Sequence, residues 1–286
     1  MGHIELASPV VHIRYYKATP SRVGLLLDLG VAEIEKILYY VKYIVTAKVD
    51  EDKQKELIKI FDTTFREKIK ELEEVYKSEM DDAKANKGQA HSGMSIKDIE
   101  KAYQENKLSL EKEFSRTKSI IANLKTGSTI LESDYRNFFR TYDSIFQFKS
   151  GSDAVYEMLS RIDVEKKIAE TLERFKNTKG EPRKKIFKLL RLLINLHISN
   201  VRPEWMIIKI LPVVPPDLRP IVQLEGGKLA TVDANQFYRR VIQRNLRLKK
   251  MIQVGMPDVV KKNEIRLLQE SVNNLISGEK NPSQKA

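Results

Sequence analysis

Cysteine is absent from the 286 residues. That excludes disulfides, thiol catalysis and cysteine-ligated zinc within the chain. Histidine is scarce as well. His3, His12, His91 and His197 are scattered without metal-ligand spacing, and His197 sits in an apolar helical pattern, where a core role is the ordinary one. No apolar run reaches membrane-spanning length, "VGLLLDLG" being far too short. The N-terminus lacks the basic-then-apolar order of a signal peptide. There is no serine elbow, no dinucleotide glycine pattern and no Walker lysine. No catalytic constellation stands out, so the sequence describes a binding and structural piece with no cofactor of its own. Proline is rare too, at ten residues, yet five of them (Pro203, Pro212, Pro215, Pro216 and Pro220) fall in "PEWMIIKILPVVPPDLRP", beside the only tryptophan, Trp205.

Charge is what the chain has in plenty. Charged residues make up 31% and hydrophobic ones 41%, which favours an elongated, mainly helical protein with several small cores. The net charge of +12 and pI of about 9.5 point to an anionic partner. In the first 50 residues "HIELASPVVHIRYY" reads as short strand or edge structure around Pro9, and "TPSRVGLLLDLG" as a turn with a packed apolar segment. Residues 32–49 fit helix or strand equally. Over 51–125, Phe61, Phe65, Ile69, Leu72, Tyr76, Met80 and Ala83 recur at spacings of four and three, and "NKGQAHSGMS" breaks the pattern. Ser95 with Asp98 then resembles a capping box ahead of a second stripe, Ile96, Ile99, Tyr103, Leu110, Phe114, Ile121 and Leu124. This predicts an antiparallel helical hairpin, either an arm that meets a partner or a solvated insertion.

Beyond it, 151–175 and 183–199 read as two helices around "NTKGEP". The second is apolar nearly all round and is expected to be buried. Residues 211–220 cannot form helix or central strand and should run extended, because each proline fixes φ and removes a donor. Gly226-Gly227 reads as a two-residue hairpin turn. Residues 235–254 carry Arg239, Arg240, Arg244, Arg247, Lys249 and Lys250 and no acid. Gly255 and Pro257 end that helix, and a second follows to Ile276 with Val260, Leu267, Leu268, Val272 and Leu275 for its seam. At 100° per residue Arg240, Arg244 and Arg247 share one exposed face, leaving Val241, Leu248 and Met251 or Ile252 for the seam. The tail 277–286 is expected to be disordered. From Arg202 to Lys250 ten basic residues face four acidic ones, half of the chain's excess charge.

"RPEWMIIKILPVVPPDLRPIVQLEGGKLATVDANQFYRRVIQRNLRLKK" with "NEIRLLQESVNNLI", together with "MGHIELASPVVHI" and "GSDAVYEMLSRIDVE", resembles the largest subunit of bacterial RNA polymerase, β′. The resemblance covers roughly 1–50 and 130–276 and leaves 51–125 as a lineage-specific insertion. It implies a clamp core at 1–50 and 126–202, and a proline-rich strap with a lid loop at 203–234. It also implies a clamp-helix coiled coil at 235–276. The clamp closes over DNA, the lid guards the upstream end of the RNA–DNA hybrid, and the clamp helices dock the sigma initiation factor. The implied sigma contacts are Arg244, Arg247, Lys250, Met251, Glu264, Arg266, Gln269 and Ser271. The implied lid and nucleic-acid residues are Arg219, Leu224, Glu225, Gly226, Gly227, Lys228 and Thr231. Sigma, the β and other core subunits, DNA and nascent RNA are the implied partners, with no membrane, in a cytoplasmic, nucleoid-associated setting. Lys209, Gln243 and Leu246 depart from the family's usual residues. The family's zinc cysteines and magnesium-holding aspartate loop are not in this sequence, which implies a segment of the subunit that does not add nucleotides by itself. Two readings from the residues alone stay open beside this one: a free-standing basic coiled coil that binds nucleic acid, and an enzyme with a constellation not visible here.

Overall fold

The computed structural model describes residues 2–85, 96–137, 139–142, 146–223, 225–227 and 229–278. It is mainly helical, with small antiparallel sheets. The chain divides into two units. One is Met1–Thr46, Thr129–Asp143 and Gln147–Ala286; the other is Ala47–Ser128 with Ser144–Phe146.

The first unit opens with strand β1 (His3–Val11), which pairs antiparallel with β5 (Ile207–Pro212). Pro9 has no N–H to give to a ladder, and the register slips between Glu5 and Val10, the stretch that contains it. Helices α1 (Ile13–Tyr16), α2 (Arg22–Leu27) and α3 (Val31–Leu38) follow. The Ser21 hydroxyl accepts from the Gly24 N–H at 2.9 Å and caps α2. The ambiguous run 32–49 proves to be helix and then strand, since β2 (Lys42–Val45) succeeds α3. β2 is the middle of a three-stranded sheet with β3 (Thr129–Leu131) and β4 (Phe148–Lys149), and α6 (Glu132–Asn137) leaves β3 directly.

Where one helix was expected over 151–175 there are two, α7 (Gly151–Ser160) and α8 (Val164–Asn177). The Asp163 carboxylate accepts the Lys166 N–H at 3.1 Å and caps the start of the second helix. Helix α9 (Glu181–Ile198) also corrects the sequence reading. It buries Leu190, Leu193 and Leu196 and leaves Phe187, Ile194 and Ile198 exposed, because neighbours pack on one face only. The main core gathers Val11, Tyr16, Leu26, Ile34, Ile37, Ile44, Val155, Leu159, Leu193 and Ile207 from β1, β2, β5 and the helices around them.

The proline strap departs from a fully extended path. Leu211 and Pro212 complete β5, and Pro216–Leu218 makes one 3₁₀ turn before β6 (Ile221–Gln223). Two long helices close this unit, α10 (Asp233–Gln253) and α11 (Asp258–Ser277). Gly255, at φ 71°, takes the left-handed turn between them.

The second unit is an antiparallel pair, α4 (Glu51–Ala85) and α5 (Ile96–Asn123). Thirty-five residues at roughly 1.5 Å each make α4 about 52 Å long. The expected stripes meet: Phe114 stacks on Phe61 and Phe65, Tyr76 stacks on Tyr103, and Leu57, Ile99 and Ile121 are buried. Asp62 pairs with Lys118 at 2.7 Å. At the base, Gln54 donates to the carbonyls of Ile121 and Leu124, and Thr126 to that of Ala47, so the two ends of the pair are tied side by side. The capping-box Ser95 and the break at 86–95 lie outside the described residues, as do 279–286 of the expected tail, whose first residue, Ser277, instead ends α11.

Candidate functional site

Val241 and Leu248 of α10 meet Leu268 and Val272 of α11, all fully buried, over Val10 and Leu211 of the β1–β5 ribbon. Val260, expected in this seam, is 43% exposed. It lies in the first turn of α11 and is not among the side chains packed on the ribbon. Polar residues complete the seating of the hairpin. Asn245 accepts the Ala7 N–H at 2.7 Å and donates to the Glu5 carbonyl at 2.8 Å. Gln269 accepts the Val11 N–H at 2.9 Å and donates to the Val11 carbonyl at 2.8 Å. A side-chain amide carries the same donor and acceptor as a peptide group. These two therefore serve the edge of β1 that has no strand beside it among the described residues. Gln269 also donates to Asn273, and Asn273 to the Tyr16 hydroxyl, each at 2.9 Å. Burial raises the Tyr16 phenol far above its ordinary range, which keeps the hydroxyl neutral. Lys262 donates to the Tyr43 hydroxyl at 2.6 Å and ties α11 to β2.

One flank of the hairpin presents arginine. Arg240, Arg244 and Arg247 line a cavity of about 330 Å³ with Phe237, Leu267, Glu270 and Ser271. The face is braced from below. The Glu264 side chain is only 5% exposed, and both its oxygens lie near Arg244 Nη1, at 3.1 and 3.4 Å; Arg247 Nε stands 3.9 Å away. Arg244 is thus tied into the fold by this pair. Its removal strands a buried carboxylate, which is strongly destabilising. Arg247, at 62% exposure, carries no such burden.

Of the residues that the resemblance assigns to sigma, Arg244, Arg247, Lys250, Met251, Arg266 and Ser271 are at least partly accessible. Arg266 bonds Glu270 and Asn263, and the Ser271 hydroxyl bonds the Leu267 carbonyl. Glu264 and Gln269 are buried, one under the arginines and the other against β1. The residues missed are Asn245 and Asn273. Their signal was a polar side chain at a seam position, four residues after Val241 and one after Val272.

The neighbouring loop is anchored at its base. β6 pairs with β7 (Leu229–Thr231), with Gln223 opposite Leu229, so the turn spans five residues and not two. Gly226 and Gly227 both have positive φ, 88° and 78°, a conformation open to glycine and costly for other residues. Glu225 is exposed like them, while Leu224 and Lys228 lie outside the described residues. Arg219 does not point freely to solvent. Its guanidinium donates to the Val214 carbonyl at 2.9 Å and to Asn235 at 2.8 Å, over the Tyr238 ring. Asn235 in turn bonds the Arg219 carbonyl and the Thr231 hydroxyl. Strap, loop and the first turn of α10 thus share one knot. Of the family departures, Lys209 lies 3.7 Å over the Tyr156 ring and Leu246 is 60% exposed. Among the described residues no group of three His, Asp or Glu side chains is placed to hold a metal ion, and no helix is long and apolar enough to cross a membrane.

The family model described as RNA polymerase Rpb1, domain 1, matches residues 1–286. A DNA-directed RNA polymerase subunit beta′ of Dehalococcoides mccartyi (strain CBDB1) is 37% identical over 277 residues, which is 96% of this chain and 21% of the relative. The subunit beta′ of Shewanella sp. (strain ANA-3) is 35% identical over 96% of this chain and 15% of its own length. That of Nocardioides sp. (strain ATCC BAA-499 / JS614) is 35% identical over 96% and 22%. The chain thus spans about a fifth or less of the curated relatives it matches. By a match that runs its whole length, it belongs to the RNA polymerase Rpb1 domain 1 family.

Proposed function

We propose that this chain serves transcription as the clamp region of an RNA polymerase largest subunit, and that the α10–α11 hairpin docks a sigma initiation factor. The observation that carries the reading is the arginine face on a hairpin pinned to β1 by paired amides. Arginine presented from a fixed support suits recognition of an acidic protein surface, because less freedom is lost on docking. The names of the relatives support the same assignment. The β6–β7 loop, with two glycines at its tip and a knotted base, then acts as the lid at the upstream end of the RNA–DNA hybrid, and the basic surroundings meet phosphates. β and the other core subunits, DNA and nascent RNA are partners in the assembled enzyme, where nucleotide addition resides. The chain by itself is expected to add no nucleotides.

The test is the affinity of the chain for a fluorescently labelled primary sigma factor, read by anisotropy. Arg247→Ala is expected to weaken binding roughly tenfold or more, as for an arginine at the centre of an interface, with helicity by circular dichroism unchanged. The Arg244→Ala/Arg247→Ala variant should lose more. Unaltered affinity in that double variant, with the hairpin still helical, would sink the docking assignment.

A further inference from the structure

We infer that Glu264 is a positioning residue of the arginine face. It does not meet the partner; it holds Arg244 in the pose that the partner meets. This rests on the docking reading above. At 5% side-chain exposure the carboxylate cannot be reached by a protein surface unless the hairpin opens. Its oxygens are instead engaged inside the molecule, 3.1 and 3.4 Å from a single nitrogen of Arg244. A guanidinium has five N–H donors in a fixed fork. Holding it by one nitrogen leaves the other donors available, and the Arg244 side chain remains 35% exposed. Arg247, at 3.9 Å and 62% exposed, is held only at the limit of an ion pair. The face thus combines one fixed arginine with one loosely held arginine.

Two costs oppose each other in this arrangement. A buried negative charge beneath the face weakens its attraction for an acidic partner. A free arginine, however, loses rotamer freedom on docking, and an anchored one has lost it already. If anchoring dominates, removing the charge of Glu264 weakens binding although the face becomes more positive. If simple charge dominates, the same change strengthens it. The sign of the effect decides between them.

The experiment is a double-mutant cycle on the full chain, with the labelled primary sigma factor as probe. Glu264→Gln keeps the side-chain shape and removes the charge. It is expected to weaken binding about fivefold in the wild-type background and not to weaken it further when Arg244 is already alanine, where the brace has nothing to hold and the change only relieves the stranded carboxylate. Tighter or unchanged binding by Glu264→Gln overturns the inference. So does a loss of equal size in both backgrounds, which would mean direct contact with sigma. No response to Arg244→Ala or to the double arginine variant would instead remove the docking reading itself. One measurement needs no variant and so is immune to misfolding: the side-chain Nε–H order parameter of Arg244 by NMR in the unaltered chain. It is expected to be well above that of exposed Arg239, and a value equal to it rejects the brace.

Discussion

A side chain's chemical type and its direction are separate pieces of information, and Asn245 and Gln269 show the difference. Both are polar residues on charged helices, and polarity alone places them outward. Both point inward and are nearly fully buried, because the edge of β1 offers backbone groups that would otherwise lack partners. The arginine face was legible, since three residues spaced by four and three must share a side. The buried end of its ion pair was not, because nothing local distinguishes Glu264 from the surface acids around it. Asn245→Ala strips the Ala7 N–H and the Glu5 carbonyl of their partner while leaving the apolar seam whole. The expected cost is about 1–3 kcal/mol, seen as a lower urea midpoint with native helicity retained. A midpoint equal to that of the unaltered chain would mean that solvent replaces these bonds without loss.

Among the elements, the α4–α5 pair was the most fully legible. Its apolar residues keep a helical period over many turns, and that periodicity survives whatever surrounds it. Less visible were the polar members of its seam. Lys107 lies over the Tyr103 ring and 4.0 Å from Glu73, and Thr117 is buried between apolar turns. Helix α9 failed in the other direction, since an apolar composition does not state how many neighbours will arrive to cover it. Because α4–α5 forms its own unit and its ends are tied together near Ala47 and Thr126, replacing 51–125 by a short Gly/Ser linker should leave the remainder folded. Circular dichroism is expected to show less helix in proportion to the residues removed, with one cooperative melt for what is left. A non-cooperative melt would make the pair part of the core.

At the scale of the whole molecule, charge is distributed unevenly. Residues 51–125 contain 16 acidic and 16 basic residues, so the entire excess of +12 belongs to the other segments. Association of the chain with duplex DNA should therefore fall steeply with salt. The slope of log affinity against log salt should be the same with and without 51–125. A slope that shrinks on deletion would place phosphate contacts on the α4–α5 pair. The overall class, helical with minor strands, was legible from composition and from the punctuation of proline and glycine. The way β1 seats the final hairpin was not. It joins residues more than 230 positions apart through side chains that no local pattern singles out.

Ala7 and Val11 lie on a sheet edge, where amide protons ordinarily trade with solvent deuterium quickly. Here each is held by a side chain of the hairpin, so exchange must wait until α10 and α11 lift away. The two protons act as a clock for that lifting, and their slowing when a partner docks reports how firmly the partner seats the hairpin.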